Sequence, residues 1–186
     1  MDRQPVLEGE RLLLRPLRPD DWPGLQAIAS DPKVWELHPQ PGRWCEPALS
    51  AYFAGLIDGK GALAVIEKST GALIGASRYQ YGSEADGGTI EIGATMLARS
   101  HWGGETNREM KRLMIAHALQ HVATVEFWAW LENARSRQAL DKIGARLVDR
   151  IEQVEIGGQT FPHAVYAITG ESFATGPLSP SGSASA

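Results

Sequence analysis

A single cysteine, Cys45, stands in this chain of 186 residues. An internal disulfide is therefore excluded, and so is a zinc site built from several cysteines. No apolar run approaches the ~18 residues of a membrane span, and Met1-Asp2-Arg3-Gln4-Pro5 is not followed by an apolar signal core. Excess positive charge is also missing, since 18 Lys and Arg face 22 Asp and Glu for a formal net charge of −4. Neither nucleic acid nor a membrane surface is an expected partner, while an amine suits the mild acidity. The patterns G-x-x-x-x-G-K-[ST] and G-x-G-x-x-G are absent, which disfavours a nucleotide hydrolase or a dinucleotide-binding domain. The expectation is a soluble, cytoplasmic protein of ordinary globular composition, 43% hydrophobic and 22% charged.

What is there is one domain of patterned sequence, 1–170. A Ser-, Ala-, Gly- and Pro-rich end, 171–186, is expected to be a disordered tail whose start is tied down by Phe173. Arg11 to Arg15 reads as a first strand closed by Pro16. Asp20 or Asp21 can cap a helix through Trp22, Leu25 and Ile28, and a second helix is predicted from about Glu46 to Ile57. Leu63 to Ile66 and Leu73 to Tyr81 form a hairpin around Lys68-Ser69-Thr70-Gly71, and Thr89 to Leu97 reads as another strand. The strongest helix pattern runs from Thr106 to Val122, with Met110, Leu113, Met114, His117 and Ala118 along one stripe. Val125 to Leu131 is apolar on both faces apart from Glu126, as suits a central strand. Asn133 to Ile143 is a shorter helix stopped at Gly144, and strands Leu147 to Ile156 and Phe161 to Ile168 flank a Gly157-Gly158 turn. The order β-α-α-β-β-β-α-β-α-β-β describes an α/β (α+β) fold with a mixed sheet and flanking helices.

Chemistry concentrates between Ile92 and Asn107, where a strand enters a Gly103-Gly104 turn that opens the longest helix. Free N–H groups and the helix dipole make such a start suited to a pyrophosphate, and glycine lets the backbone approach closely. Taken alone, the turn reads first as a simple connection.

The run Trp102-Gly-Gly-Glu-Thr-Asn-Arg-Glu-Met-Lys111 resembles the pyrophosphate loop and central helix of the GCN5-related N-acetyltransferases (GNAT). The resemblance is closest to their ribosomal-protein alanine and serine N-terminal branch. Glu132-Asn133-Ala-Arg-Ser136-Arg-Gln-Ala139 is similar to that family's Asn-x-x-Ser-x-x-Ala helix, and Leu7 to Leu17 followed by Asp20-Asp21 resembles its opening. The resemblance implies a mostly antiparallel sheet of about seven strands, splayed between the fourth (Thr89 to Leu97) and the fifth (Val125 to Leu131). It implies acetyl transfer from acetyl-CoA to an amine, without a metal, in a monomer or homodimer. Met96, Leu97 and Ala98 would bind the pantetheine arm. Gly103, Gly104, Glu105, Thr106 and Asn107 would form the diphosphate site, with Trp102 also binding the cofactor and Asn133 and Ser136 beside the arm. Where the family's loop usually has its second glycine, this chain has Glu105, whose carboxylate either opposes a pyrophosphate or complements the helix dipole. Arg99, Arg108, Lys111 and Arg112 would offset that charge or form a solvated helix face.

Attack of an amine on a thioester needs a proton acceptor, an oxyanion donor and an exit for the thiolate. Glu91, on the strand before the loop, matches by resemblance the position of the family's glutamate base, and would act through a water. Many relatives protonate the thiolate with a tyrosine in the helix after the central strand. None occurs between Asn133 and Gly144, so Ser136 takes that place by motif position; Tyr166 is read as core. Trp35 and Trp44 in the 31–47 connector, with Arg78, Tyr79 and Tyr81, are the acceptor-site candidates, against plain packing for the tryptophans. His117 and His121 have metal-ligand spacing but no third ligand, so they read as edge-of-core histidines. The favoured acceptor is a protein or peptide α-amine. A small amine, amino acid or antibiotic is the alternative substrate, and a degenerate acyl-CoA-binding protein the alternative class.

Overall fold

A computed structural model describes residues 1–83 and 87–179. Its centre is an eight-stranded sheet. The strands are β1 (Leu7–Glu8), β2 (Leu12–Pro16), β3 (Ala62–Glu67), β4 (Leu73–Ser83), β5 (Thr89–Leu97), β6 (Thr124–Trp130), β7 (Arg146–Ile156) and β8 (Gln159–Thr169). Their spatial order is β1-β2-β3-β4-β5-β6-β8-β7. Every pairing is antiparallel except β5 with β6. The expected fold holds, and the additional strand is Leu7–Glu8, too short to carry an alternating pattern of its own.

The helices are α1 (Trp22–Ala29), α2 (Pro32–Trp35), α3 (Ala48–Asp58), α4 (Glu105–Ala118), α5 (Ala134–Lys142) and α6 (Gly170–Thr175). Two apolar clusters sandwich the sheet. One places Met110, Met114, Ile115 and Ala118 of α4 against Ile90, Ile92, Val125 and Phe127. The other places Leu25 of α1, Trp35 of α2 and Leu49 and Phe53 of α3 against Ala64, Ala76 and Met96. Strand alternation sends successive side chains to these opposite layers.

Some local expectations change. Asp21 does not cap α1 through its side chain. It receives the Arg15 guanidinium at 2.7 and 2.8 Å and the Arg18 N–H at 2.8 Å, pinning the turn after β2 instead. Helix α4 ends at Ala118, four residues short of Val122. Its first half is anchored by Glu109, which accepts the backbone N–H groups of Arg11 and Leu12 at 2.9 and 3.1 Å. Within the expected tail, Gly170–Thr175 forms α6 behind a Thr169–Ser172 capping box, Phe173 packs on the core, and Leu178 is only 3% exposed. Two apolar side chains suffice to hold that segment. The rest of the tail, 180–186, lies outside the described residues. No helix among the described residues is long and apolar enough to cross a membrane.

Candidate active site

The site begins where a strand pair comes apart. β5 and β6 pair in parallel only through Thr89, Ile90 and Glu91, opposite Thr124, Val125 and Glu126. Beyond Glu91, β5 keeps only β4 and β6 keeps only β8. Each strand then presents one unpaired edge to the gap, a ready template for an extended ligand with amide groups. Met96 and Leu97 lie on that free stretch; they pair with Ala76 and Gly75 of β4 on the other side. The next residue, Ala98, donates its N–H to Ile74 O at 2.8 Å.

A β-bulge sits on the same stretch. The β4–β5 register slips between Ala76 and Arg78, and Ala94 opposite has φ of +47°, a left-handed value uncommon for a residue with a side chain. The bulge changes which layer each residue faces. Ile90 and Ile92 join the α4-side cluster before it, Leu97 joins that same cluster after it, and Met96 turns to the α1–α3 side.

Glu91 stands at the fork with 3% exposure. Gln80 Nε2 donates to Glu91 Oε2 at 3.0 Å. Burial pushes its carboxyl up to about 7, while Gln80, the Lys111 ammonium and the Trp128 backbone N–H pull the other way. Lys111, read from sequence as loop-neutralising or solvated, is 4% exposed. Its Nζ donates to Thr95 Oγ1 at 2.7 Å and lies 5.3 Å from the Phe127 ring centroid, so it spans the gap between β5 and β6. Burial pushes that amine down to about 7, and Glu91 pulls it up. Ser77 Oγ meets the same Thr95 hydroxyl at 2.8 Å. No composition or spacing signal singles out Lys111, because a lysine close in sequence to several other cations reads as helix surface.

At the mouth of the gap, Gly103 takes φ of +72° and Gly104 is the N-cap of α4 in extended geometry, supplying no side-chain cap. The first-turn N–H groups of Glu105, Thr106 and Asn107 are the helix's open donors. A Cβ at Gly103 or Gly104 would meet nothing within 4 Å, so backbone angle rather than crowding favours glycine at 103. The Glu105 carboxylate turns back along the helix to Arg108 Nε at 3.4 Å, and Arg99 pairs with Asp31 at 3.3 Å. Trp102 donates its indole N–H to Leu97 O at 2.9 Å, and the Arg135 guanidinium lies 4.2 Å from the centroid of the Trp102 ring. Asn133 caps α5 by accepting the Ser136 N–H at 2.9 Å, and Ser136 itself is half-buried in the first turn of that helix.

The acceptor-side candidates divide. Arg78 lies opposite Gly93 and Gln80 opposite Glu91, so both share the face of Glu91. Trp35 is buried under the connector, its indole N–H on Ala29 O at 2.7 Å. Trp44 is exposed in a short 3-10 turn. Tyr81, with φ of +31° at a second bulge, stacks on Trp128 of β6 at 5.1 Å. Tyr79 is a correction. It is fully buried on the α4 side with its hydroxyl on Met114 O at 2.7 Å, because neighbours of Arg78 on a strand must face the other layer. Tyr166 is core, its hydroxyl accepting from Arg137 Nε at 3.1 Å. Sequence reasoning missed Tyr52, whose hydroxyl lies 3.4 Å from Ala94 O at the bulge. His117 Nε2 meets Asp2 O at 2.8 Å, and no cluster among the described residues could hold a metal ion.

A split parallel pair, a bulge at the split, and an uncapped helix start at its mouth define an acyl-CoA-dependent acyltransferase cleft. The acetyltransferase (GNAT) domain pattern matches residues 11–146, and the chain belongs to that family of acetyltransferases, which act with acetyl-CoA. No curated protein sequence matches it. Solved structures agree. An acetyltransferase structure from T. thermophilus is 25% identical with a TM-score of 0.73, covering 91% of this chain and 92% of that one. Mycobacterium smegmatis RimJ, in complex with CoA-disulfide, is 21% identical with a TM-score of 0.64, covering 86% and 82%. The microcin C7 self-immunity acetyltransferase MccE, in complex with acetyl-CoA and AMP, is 15% identical with a TM-score of 0.69, covering 90% and 98%.

Proposed function

We propose that the chain acetylates a primary amine, with a protein or peptide N-terminal α-amine as the favoured acceptor, by direct attack in a ternary complex. The observation that carries this reading is Glu91, a buried carboxyl at the fork of β5 and β6. A carboxyl held near pH 7 can take a proton from the attacking amine, through a water, and release it afterwards. The amides of Gly103 to Asn107 bind the diphosphate, and Met96, Leu97 and Ala98 bind the pantetheine arm along the unpaired edge of β5. Trp102, Asn133 and Ser136 border that arm. When bound, acetyl-CoA supplies the activated acetyl group.

For the departing thiolate, Ser136 is the motif candidate, but a hydroxyl proton is poorly matched to a thiolate. Lys111 is better matched, since its ammonium lies between the parting strands. Mycobacterium smegmatis RimJ, solved with CoA-disulfide, shares this fold, which supports the cofactor.

A small amine is the second reading, favoured by one contact. Gln40 of the connector crowds Gly157 in the β7–β8 turn, so a Cβ there would collide with Gln40 Nε2. The connector and hairpin therefore meet, and a connector pinned in this way would narrow an acceptor site walled by Trp35 and Trp44.

Amine-dependent release of CoA thiol, measured with a panel of tetrapeptides and of small amines, tests the proposal. Mass spectrometry should place the acetyl group on the peptide α-nitrogen. Turnover confined to small amines would replace the first reading by the second. Thiol release independent of every amine would overturn both.

A further inference from the structure

On Glu91's face of the sheet, two half-buried guanidinium groups have no carboxylate partner among the described residues. Arg78 lies on β4 opposite Gly93, one alternation from the Gln80–Glu91 pair. Its Nε is buried without a hydrogen-bond partner. Its head packs so closely on Gly59 that a Cβ there would collide with it. Gly59 caps the C-terminal end of α3, whose partial negative charge orients a cation without neutralising it.

Arg43, in the connector, stacks 4.8 Å from the centroid of the Tyr52 ring and 5.4 Å from that of Trp35. It donates to Gln40 Oε1 and approaches His38 Nε2 at 3.3 Å. Neither contact supplies a negative charge, since burial and Arg43 itself push His38 down to about 4. Tyr52 is under the charge of both arginines. Its phenol feels both cations, against the burial that raises it, and its hydroxyl reaches the bulge at Ala94. Ala94 follows the Gly93 that lies opposite Arg78, so Tyr52 and Arg78 meet the same bulged stretch of β5, two to three residues from Glu91. Unpaired buried guanidinium is costly unless a ligand completes it.

We infer that Arg78 and Arg43 form an anion subsite for the acceptor, so that the preferred substrate is an amine carrying a carboxylate or phosphate close to the nitrogen that is acetylated. The planar, five-donor guanidinium suits such bidentate recognition. This deepens the proposed function and rests on its acceptor side being the Glu91 face. For a peptide it means an acidic residue near the N-terminus; for a small molecule it means an amino acid or aminoalkyl phosphate rather than a polyamine.

The test compares isosteric acceptors on the purified full chain. Ala-Asp-Glu-Phe is set against Ala-Asn-Gln-Phe, alanine against alaninamide, and an aminoalkyl phosphate against the corresponding alcohol. Each charged member should have at least 10-fold higher kcat/KM than its neutral partner, and the phosphate and carboxylate arms show which anion is preferred. In Arg78→Gln and Arg43→Gln the advantage should shrink through KM, while Arg78→Lys, which keeps the charge but not the bidentate fork, retains only part of it. Thermal midpoints identify a variant that merely unfolds. Calorimetric titration of the wild-type protein with the acetylated acidic tetrapeptide and its amide provides a readout independent of turnover. Equal kcat/KM and equal product affinity within each pair would overturn the inference, as would a preference unchanged in both glutamine variants. If no peptide reacts while anionic small amines do, the α-amine reading fails and the subsite stands.

Discussion

Glu91 and Lys111 act on each other's charge from different elements, although no hydrogen bond joins them. The ammonium pulls the carboxyl down and the carboxylate pulls the amine up, yet burial outweighs both and brings each to about 7. They belong to β5 and α4, 20 positions apart in sequence, and meet where β5 leaves β6.

Glu91→Gln should reduce kcat/KM by about 10²- to 10⁴-fold if Glu91 is the base. In the wild-type protein, kcat/KM should fall below a pKa near 7, where the carboxyl takes up its proton. That limb should vanish in the variant. A pH–rate profile from 5 to 9 checks both; full activity in the variant would remove Glu91 from the mechanism.

The same pair predicts an unusual stability profile. Glu91 rises from 4.5 unfolded to about 7 folded, so the native state binds the extra proton in that window. Its contribution to stability is therefore present below pH 4.5 and lost as pH rises through 7. Lys111 falls from 10.5 to about 7, so the unfolded state binds more protons between 7 and 10.5, and stability recovers there with rising pH. Glu91→Gln should raise the thermal midpoint more at pH 8 than at pH 4. Equal shifts at the two values would contradict the assignment.

If Lys111 protonates the leaving thiolate, Lys111→Met should lower kcat by at least 10-fold while changing KM for acetyl-CoA little. Ser136→Ala should change kcat less than about threefold, a hydroxyl being the weaker acid at this step. Parallel steady-state measurements distinguish them. The reverse ranking would return the role to Ser136.

Gly103→Ala places a side chain at φ of +72° in open space, so the penalty is backbone strain of about 1 kcal/mol rather than a clash. The loop should relax toward other angles, raising KM for acetyl-CoA several-fold with little change in KM for the amine.

Tyr79→Phe removes a buried hydrogen bond to Met114 O and should destabilise by about 1–2 kcal/mol. Neither KM should move, because Tyr79 faces α4 and not the acceptor. Chemical denaturation and steady-state kinetics check the two halves.

Much of this protein is written locally. The apolar stripe of α4, the alternation of β5 and the Gly103-Gly104 turn identify the strand–loop–helix unit, because helix and strand periods and positive-φ glycine are short-range properties. The buried charge pair was not legible: Lys111 has the sequence context of an exposed helix residue, and only packing against Thr95 and Phe127 buries it. Tyr79 and Tyr81 look alike in sequence, yet the register slip between Gln80 and Gly82 turns Tyr81 onto Trp128 and leaves Tyr79 in the core.

Local patterning was enough to specify the order of elements and the loop that opens α4, and the family resemblance pointed to Glu91 as the candidate base. Long-range packing set where β5 and β6 separate, how Ala94 inverts the facing of the strand beyond it, and which arginines lack a carboxylate partner among the described residues. Those depend on register and on contacts between segments far apart in the chain, which local periodicity does not encode.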